Sequence, residues 1–124
     1  MKIYYLHSLT DDTILSLILQ HQDKTLTVID GGWRKDAEYL FAFLKTLAGP
    51  VPHIDRWILT HGHSDHIGTF TELCEHHAKE WTLGDLYFDF PEIELVYRLE
   101  AFNVEGLVEF SQIRDKLPGR HGRP

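Results

Sequence analysis

The sequence predicts an α/β domain whose sheet is built from an early hairpin and later strand–helix–strand crossovers. Short apolar segments of strand length alternate with segments whose apolar residues recur every three or four positions, as in amphipathic helices. Glycine and proline punctuate the boundaries between them. The predicted order is β-β-β-α-β-α-β-α, and a chain of 124 residues is the length of one domain.

Three strands are predicted before the first helix. Residues 2–6 are rich in tyrosine and isoleucine, which favour strands, and residues 13–20 are nearly apolar on both faces, as a strand inside a sheet would be. Residues 21–24 form a polar turn, and residues 25–30 continue as the second arm of a hairpin. The glycines at 31–32 end this arm.

The first crossover consists of one helix and one strand. The helix is predicted from about Asp36, because Leu40, Leu44 and other apolar residues form a single stripe. It ends at the pair Gly49–Pro50, in the order that a helix stop requires. Residues 54–60 are then predicted to form a strand with a buried centre.

The segment at residues 61–68 is polar and contains glycines, so it cannot continue that strand. We expect the second helix to begin near Thr69, and residues 81–90 to form a strand broken by Gly84. Pro91 suits the first turn of a third helix, which is predicted to reach about residue 102.

A fourth helix is predicted over residues 104–117, so the domain comprises residues 1–117. The tail at residues 118–124 is basic, rich in glycine and proline and without an apolar anchor, and we expect it to be disordered.

The composition excludes several functional classes. No apolar segment is long enough to cross a bilayer, and the N-terminus lacks the features of a secretory signal. For this reason we expect no membrane association. The single cysteine, Cys74, cannot form an internal disulfide, so nothing requires an oxidising compartment and we expect a cytoplasmic location. A net charge of −7 argues against nucleic acid as a partner.

Nine histidines are more than packing or solubility requires, and their placement is uneven. Three of them lie with one carboxylate in the stretch His61-Gly62-His63-Ser64-Asp65-His66, directly after the strand predicted at 54–60. Imidazole and carboxylate are the ligands of zinc and related divalent ions. His61 and His63 can face one metal, and Asp65 and His66 a second. The alternatives are a histidine-rich surface loop with adventitious metal affinity and a phosphate-binding strand-to-helix turn.

The pattern His61-x-His63-x-Asp65-His66 resembles the signature of the metallo-β-lactamase superfamily, a fold of two packed αββα halves. The segment Val28-Ile29-Asp30-Gly31-Gly32 resembles an earlier motif of that family, in which an aspartate supports the metal loop without binding metal. The resemblance covers about residues 2–90. It implies half of a metallo-β-lactamase-like αββα sandwich.

The resemblance also implies the roles of individual residues. His61 and His63 correspond to ligands of the first metal, and Asp65 and His66 to ligands of the second, with Asp65 also assigned as catalytic. Asp30 would hold an imidazole or the loop amides in place. The alternative for Asp30 is an ordinary carboxylate in a turn at a strand end.

The implied activity is metal-dependent hydrolysis of a small-molecule substrate, in which a hydroxide activated by the metal attacks a carbonyl or phosphoryl centre. We expect one or two zinc ions, with manganese or iron as alternatives.

The family pattern includes further ligands that come from the second half of the fold, and this sequence shows no clear equivalents of them. His121, in the basic tail, is only a faint candidate. Three explanations remain open. The chain is a fragment or truncated product that lacks a C-terminal half, a homodimer whose second copy replaces that half, or a non-catalytic binding or assembly module.

Overall fold

The sheet and its flanking helices account for most of the residues that the computed structural model describes, which are 1–8, 16–89, 105–113 and 122–123. The strands are β1 (Lys2–Tyr5), β2 (Ser16–Gln20), β3 (Leu26–Asp30), β4 (His53–Leu59), β5 (Thr82–Phe88) and β6 (Gly122–Arg123). A 3₁₀ turn (Arg34–Asp36) precedes α1 (Ala37–Ala48), which is followed in the chain by α2 (Ser64–His76) and α3 (Glu105–Gln112).

The strands lie side by side in chain order, from β1 to β6. β1, β2 and β3 are antiparallel neighbours, which confirms the predicted hairpin. β3, β4 and β5 are parallel, because α1 and α2 carry the chain back between them. The predicted α/β class is therefore confirmed, and the carboxyl ends of β3 and β4 meet at one edge of the sheet.

One face of the sheet forms the core. Ile18, Val28, Trp57 and Leu86 are direct neighbours across β2, β3, β4 and β5, and all four are fully buried. Apolar residues of the three helices, among them Phe70 of α2, pack in the same cluster. Such a row removes four large side chains from water and so stabilises the sheet.

The opposite face is also apolar but is only partly covered. The next row across the strands consists of Tyr5, Leu17, Ile29, Ile58 and Tyr87. Tyr5 is 51% exposed and Tyr87 37%, and the three residues between them are half-buried. Alternation along the strands gives the sheet this second apolar face.

The predicted end of α1 is confirmed, whereas the predicted start of α2 is wrong. α1 stops before Gly49, which has a φ of 90° and whose amide donates to the Lys45 carbonyl. α2 begins at Ser64, five residues before Thr69. The amides of His66 and Ile67 donate to the His63 carbonyl, so the first turn forms within the polar segment.

Gly62 and Gly68 resemble helix breaks in the sequence, which is the reason for the late predicted start. Gly68 does not break α2 but lets it approach the turn after β3, since a Cβ at this position would lie 2.9 Å from the carbonyl carbon of Trp33. Gly84 likewise does not break β5, which runs unbroken across it, and a Cβ there would overlap the backbone of Asp55. In both places glycine permits a close contact between two backbones.

Several predicted features fall wholly or partly outside the described residues. These are residues 13–15 of the second strand, the helix predicted at residues 91–102 and the end of the helix predicted at 104–117. Of the tail, residues 118–121 and 124 also lie outside them. The backbone of Gly122 and Arg123 pairs in parallel with Leu86 and Tyr87 of β5.

Cys74 is expected to be unreactive in the folded protein. It is a buried residue of α2, and burial, with a smaller contribution from the charge of Glu75, raises the pKa of the thiol well above its usual value. Because the thiolate is the reactive form, we expect a chromogenic aromatic disulfide at pH 8 to modify Cys74 only as fast as the chain unfolds. The control is the same reaction in urea, where modification should be immediate. Rapid modification without denaturant would contradict the placement of Cys74 in the core.

Candidate metal site

The histidine-rich segment connects β4 to α2 at the edge of the sheet where β3 also ends. We call residues 61–66 the metal loop. His61 follows β4 and is exposed, His63 is the residue before α2, and Asp65 and His66 lie in the first turn of that helix. A helix N-terminus favours a carboxylate such as that of Asp65. The chain thus turns from a buried strand into a helix within six residues, and all four predicted ligands lie in this turn.

Asp30 is a buried residue that binds the start of the metal loop at this edge of the sheet. It ends β3 with a φ of 56°, a left-handed conformation that aspartate adopts more readily than most residues, and its side chain is fully buried. The Thr60 amide donates to Asp30 Oδ1 at 2.8 Å, and the Thr60 hydroxyl donates to Oδ2. The indole N–H of Trp57 donates to the Asp30 carbonyl oxygen at 2.8 Å. A buried carboxylate must be paired in this way to be stable, and here it fixes the start of the metal loop.

His66 is held by the same carboxylate. Its Nδ1 lies 3.0 Å from Asp30 Oδ2. An ionised carboxylate only accepts hydrogen bonds, so Nδ1 carries a proton in this contact, and in the neutral imidazole the lone pair is then on Nε2. This is the arrangement by which a carboxylate orients a metal-binding histidine and fixes its tautomer.

The other predicted ligands lie near His66. The centre of the His61 ring is 4.7 Å from that of His66 and 5.9 Å from that of His63. Asp65 Oδ2 lies 3.8 Å from His66 Nε2, and Thr60 Oγ1 lies 3.2 Å from His61 Nδ1. The fold therefore brings the three imidazoles and the carboxylate to one place.

The donor chemistry of this cluster fits a divalent ion, since it combines imidazole nitrogens with a carboxylate around one fixed tautomer. Within the described ranges, however, no group of three or more His, Cys, Asp or Glu side chains has the mutual distances of a metal site. The side chains are adjacent but their ligand atoms do not converge in this structure.

The turn after β3 is joined to α2 through Thr69. Its hydroxyl oxygen lies 2.8 Å from the carbonyl oxygen of Trp33 and 3.0 Å from that of Gly31, which share its one proton, and its amide donates to the carbonyl oxygen of Gly32 at 2.9 Å. These bonds hold the helix that carries Asp65 and His66 against the strand end that carries Asp30.

Three contributors to the site were not identified from the sequence. Thr60 and Trp57 fix Asp30, and Leu107 of α3 lies against Gly62 in the metal loop. The position of Thr60 directly before His61 was the only available signal for its role. Nothing in the local pattern around Leu107 indicates contact with a segment more than forty residues earlier.

The other described histidines have ordinary partners. His77 lies between the carboxylates of Glu38 (2.9 Å) and Glu80 (2.7 Å) and beside the ring of Phe41. His76 is 61% exposed. His121 lies outside the described residues.

The comparison with protein families gave a match that covers most of the chain. A family model described as the metallo-beta-lactamase superfamily matches residues 9–122. The match extends past residue 90, the predicted limit of the resemblance, and includes α3. A search of curated proteins gave no significant match. In the part of the chain that the structure describes, we find no helix with the length and apolar character needed to span a bilayer.

Proposed function

Because the chain belongs to the metallo-beta-lactamase superfamily, we propose that it is a metal-dependent hydrolase whose metal ligands are His61, His63, Asp65 and His66. The observation that carries this proposal is the contact between His66 Nδ1 and the buried carboxylate of Asp30. A histidine in a merely solvent-exposed loop has no need of a fully buried carboxylate that fixes its tautomer. This one has both the support and a neighbouring set of metal-binding groups.

Zinc is the proposed ion, and manganese and iron remain alternatives for the same donor set. A divalent ion in such a site lowers the pKa of water and polarises a carbonyl or phosphoryl oxygen of the substrate. Asp65 and His66 would bind the ion from the helix start, and His61 and His63 from the loop before it. Asp30 would keep His66 Nδ1 protonated throughout and would not contact the substrate.

The proposed substrate is a small molecule. The net charge of −7 opposes the approach of a nucleic acid backbone, whereas a bound cation would reverse the charge locally for a small anionic or polarised group. The loop ligands alone do not distinguish a β-lactam from a thioester, a lactone or a phosphodiester. A cytoplasmic location stays a prediction.

The second candidate is a non-catalytic assembly module that retains the metal loop. The observation that favours it is the half-exposed apolar row from Tyr5 to Tyr87. A second copy of the chain or the other half of a family domain would cover this face, because contiguous exposed apolar surface favours association.

A zinc titration tests the two candidates. We expect the purified protein, freed of metal with a chelator, to bind zinc stoichiometrically in competition with a chromogenic chelator, and to hydrolyse at least one of a β-lactam, a thioester, a lactone and a phosphodiester. His63→Gln should weaken zinc binding, whereas the matched control His76→Gln, at an exposed helix position, should not.

The outcomes separate the proposals. Binding with turnover supports the hydrolase. Binding without turnover, together with a dimeric mass in size-exclusion chromatography with light scattering, supports the assembly module. If zinc binding is absent, or is the same in the His63 and His76 variants, the metal site itself is contradicted.

A further inference from the structure

The first turn of α3 lies directly against the metal loop. A Cβ at Gly62 would overlap the side chain of Leu107, and a Cβ at Gly106 would overlap the carbonyl oxygen of Gly62 and lie 3.1 Å from the Ser64 amide nitrogen. The backbones of α3 and the loop are therefore in contact at Gly106. Because Gly62 separates His61 from His63, this contact restricts the segment that carries both imidazoles.

Arg34 connects α3 to the rest of the site. Its Nε donates to Glu109 of α3 at 2.6 Å, and its Nη1 donates to Glu72 of α2 at 2.8 Å. Both guanidinium Nη atoms also donate to Glu75 at 3.2 Å. One cation in the turn after β3 thus binds carboxylates on both helices that flank the metal loop.

This cation keeps its charge over the whole working range of pH. Burial lowers the pKa of Arg34, but the hydrogen bonds that it donates to Glu75, Glu72 and Glu109 outweigh this effect and raise the pKa above its ordinary value. Charge-assisted hydrogen bonds of this kind are stronger than neutral ones.

A cavity of about 270 Å³ beside this cluster shows that α3 is not packed continuously on the turn after β3. Trp33, Ser64, Gly106 and Glu109 are among its lining residues. Beside this open space, the first turn of α3 is held by the ion pair of Arg34 with Glu109 and by the packing of Leu107 against Gly62, while Phe110 and Ile113 pack in the core.

We propose that Arg34, acting through Glu109, is a positioning residue for the metal loop. By binding Glu109, it holds α3 where Gly106 and Leu107 contact Gly62. This contact restricts the conformations of His61 and His63. A restricted loop loses less conformational freedom when it binds an ion, so holding α3 against the loop raises the affinity for a divalent metal. This inference rests on the proposed function, since it requires that the metal loop bind metal.

The first test compares two carboxylates that share the same guanidinium. In Glu109→Gln the partner on α3 loses its charge, and in the matched control Glu72→Gln the partner on α2 does. We expect Glu109→Gln to lower the zinc affinity about tenfold, as loss of groups that support metal ligands typically does. It should also change the visible absorption spectrum of the protein loaded with Co²⁺. Glu72→Gln should leave both properties close to those of the unchanged protein, although each of the two variants loses one negative charge beside Arg34.

The second test leaves Arg34 and its partners untouched. Gly106→Ala adds one methyl group between α3 and Gly62 and raises the helix propensity of α3, so the helix itself should persist. We expect zinc affinity to fall by about tenfold and the Co²⁺ spectrum to change. Gln112→Ala, at an exposed position of the same helix, is the matched control and should change neither.

The failure of this inference differs from that of the proposed function. If the unchanged protein binds no zinc, the proposed function fails and this inference with it. If the unchanged protein binds zinc and both Glu109→Gln and Gly106→Ala bind it equally well, only the positioning role of α3 is overturned. Equal losses in Glu109→Gln and Glu72→Gln would overturn it too, because they would show general destabilisation.

Discussion

Asp30→Asn is expected to lower zinc affinity by about 10- to 100-fold, the range typical for groups that orient metal ligands. The amide has nearly the shape of the carboxylate, but its NH₂ group is a donor. Because the Thr60 amide must still donate to an oxygen, the NH₂ group would face His66 Nδ1 and require that nitrogen to accept, so the imidazole proton would move to Nε2. The lone pair needed for metal would then be lost without any change in the ligand set.

Asp36→Asn is the matched control for this prediction. Asp36 is also buried, accepts from the Ser8 hydroxyl at 2.9 Å and the Trp33 amide at 3.1 Å, and lies in the same connection between β3 and α1. It makes no contact with His66, so its variant should lose some stability but keep its zinc affinity. Zinc competition, urea unfolding and the nitrogen chemical shifts of the His66 ring measure the three properties. Equal zinc affinity in the two variants would show that Asp30 serves the fold alone.

Trp57→Ala is expected to lower the free energy of unfolding by about 3–5 kcal/mol, the range for truncating a buried aromatic residue. Trp57 is fully buried at the centre of β4, where its ring meets Phe70 at 5.0 Å and Trp81 at 5.5 Å between ring centres. Its indole N–H also donates to the Asp30 carbonyl oxygen. Since domains of this size are stable by only about 5–15 kcal/mol, the variant should be close to unfolding at 37 °C.

Ile58→Ala is the comparison for this effect. Ile58 is the next residue along β4, but its side chain lies on the half-exposed face of the sheet, so its truncation should be clearly less destabilising. Both variants are compared by urea unfolding monitored by far-ultraviolet circular dichroism. If Ile58→Ala loses as much stability as Trp57→Ala, the second face is as well buried as the first, and the proposal of a partner on that face has no basis.

The elements whose residues interact locally were predictable. The strands around Ile18, Val28 and Trp57 and the stripe of α1 follow from the spacing of apolar residues, because each pattern reflects burial of one side of one segment. Gly49 marked the end of α1 correctly, since a left-handed φ at a helix end is a local requirement.

The wrong predictions concern residues whose role is a contact with a segment that is distant in the sequence. Gly68 and Gly84 looked like breaks, yet each lies within a regular element and makes room for a backbone elsewhere in the chain. From the sequence alone, the segment that packs against a glycine is not known. A glycine that permits close packing therefore cannot be distinguished from one that ends a helix or strand.

By itself, the sequence determined the α/β class, the motif from His61 to His66 and the pairing of that motif with Asp30 as a family signature. Only the tertiary structure decided that Asp30 bonds to Thr60 and to Nδ1 of His66, and that α3 closes on the loop. The reason is physical: composition and spacing report which side chains are present and which are buried. The tautomer of an imidazole and the position of a helix against a loop depend on distances between segments that are far apart in the chain.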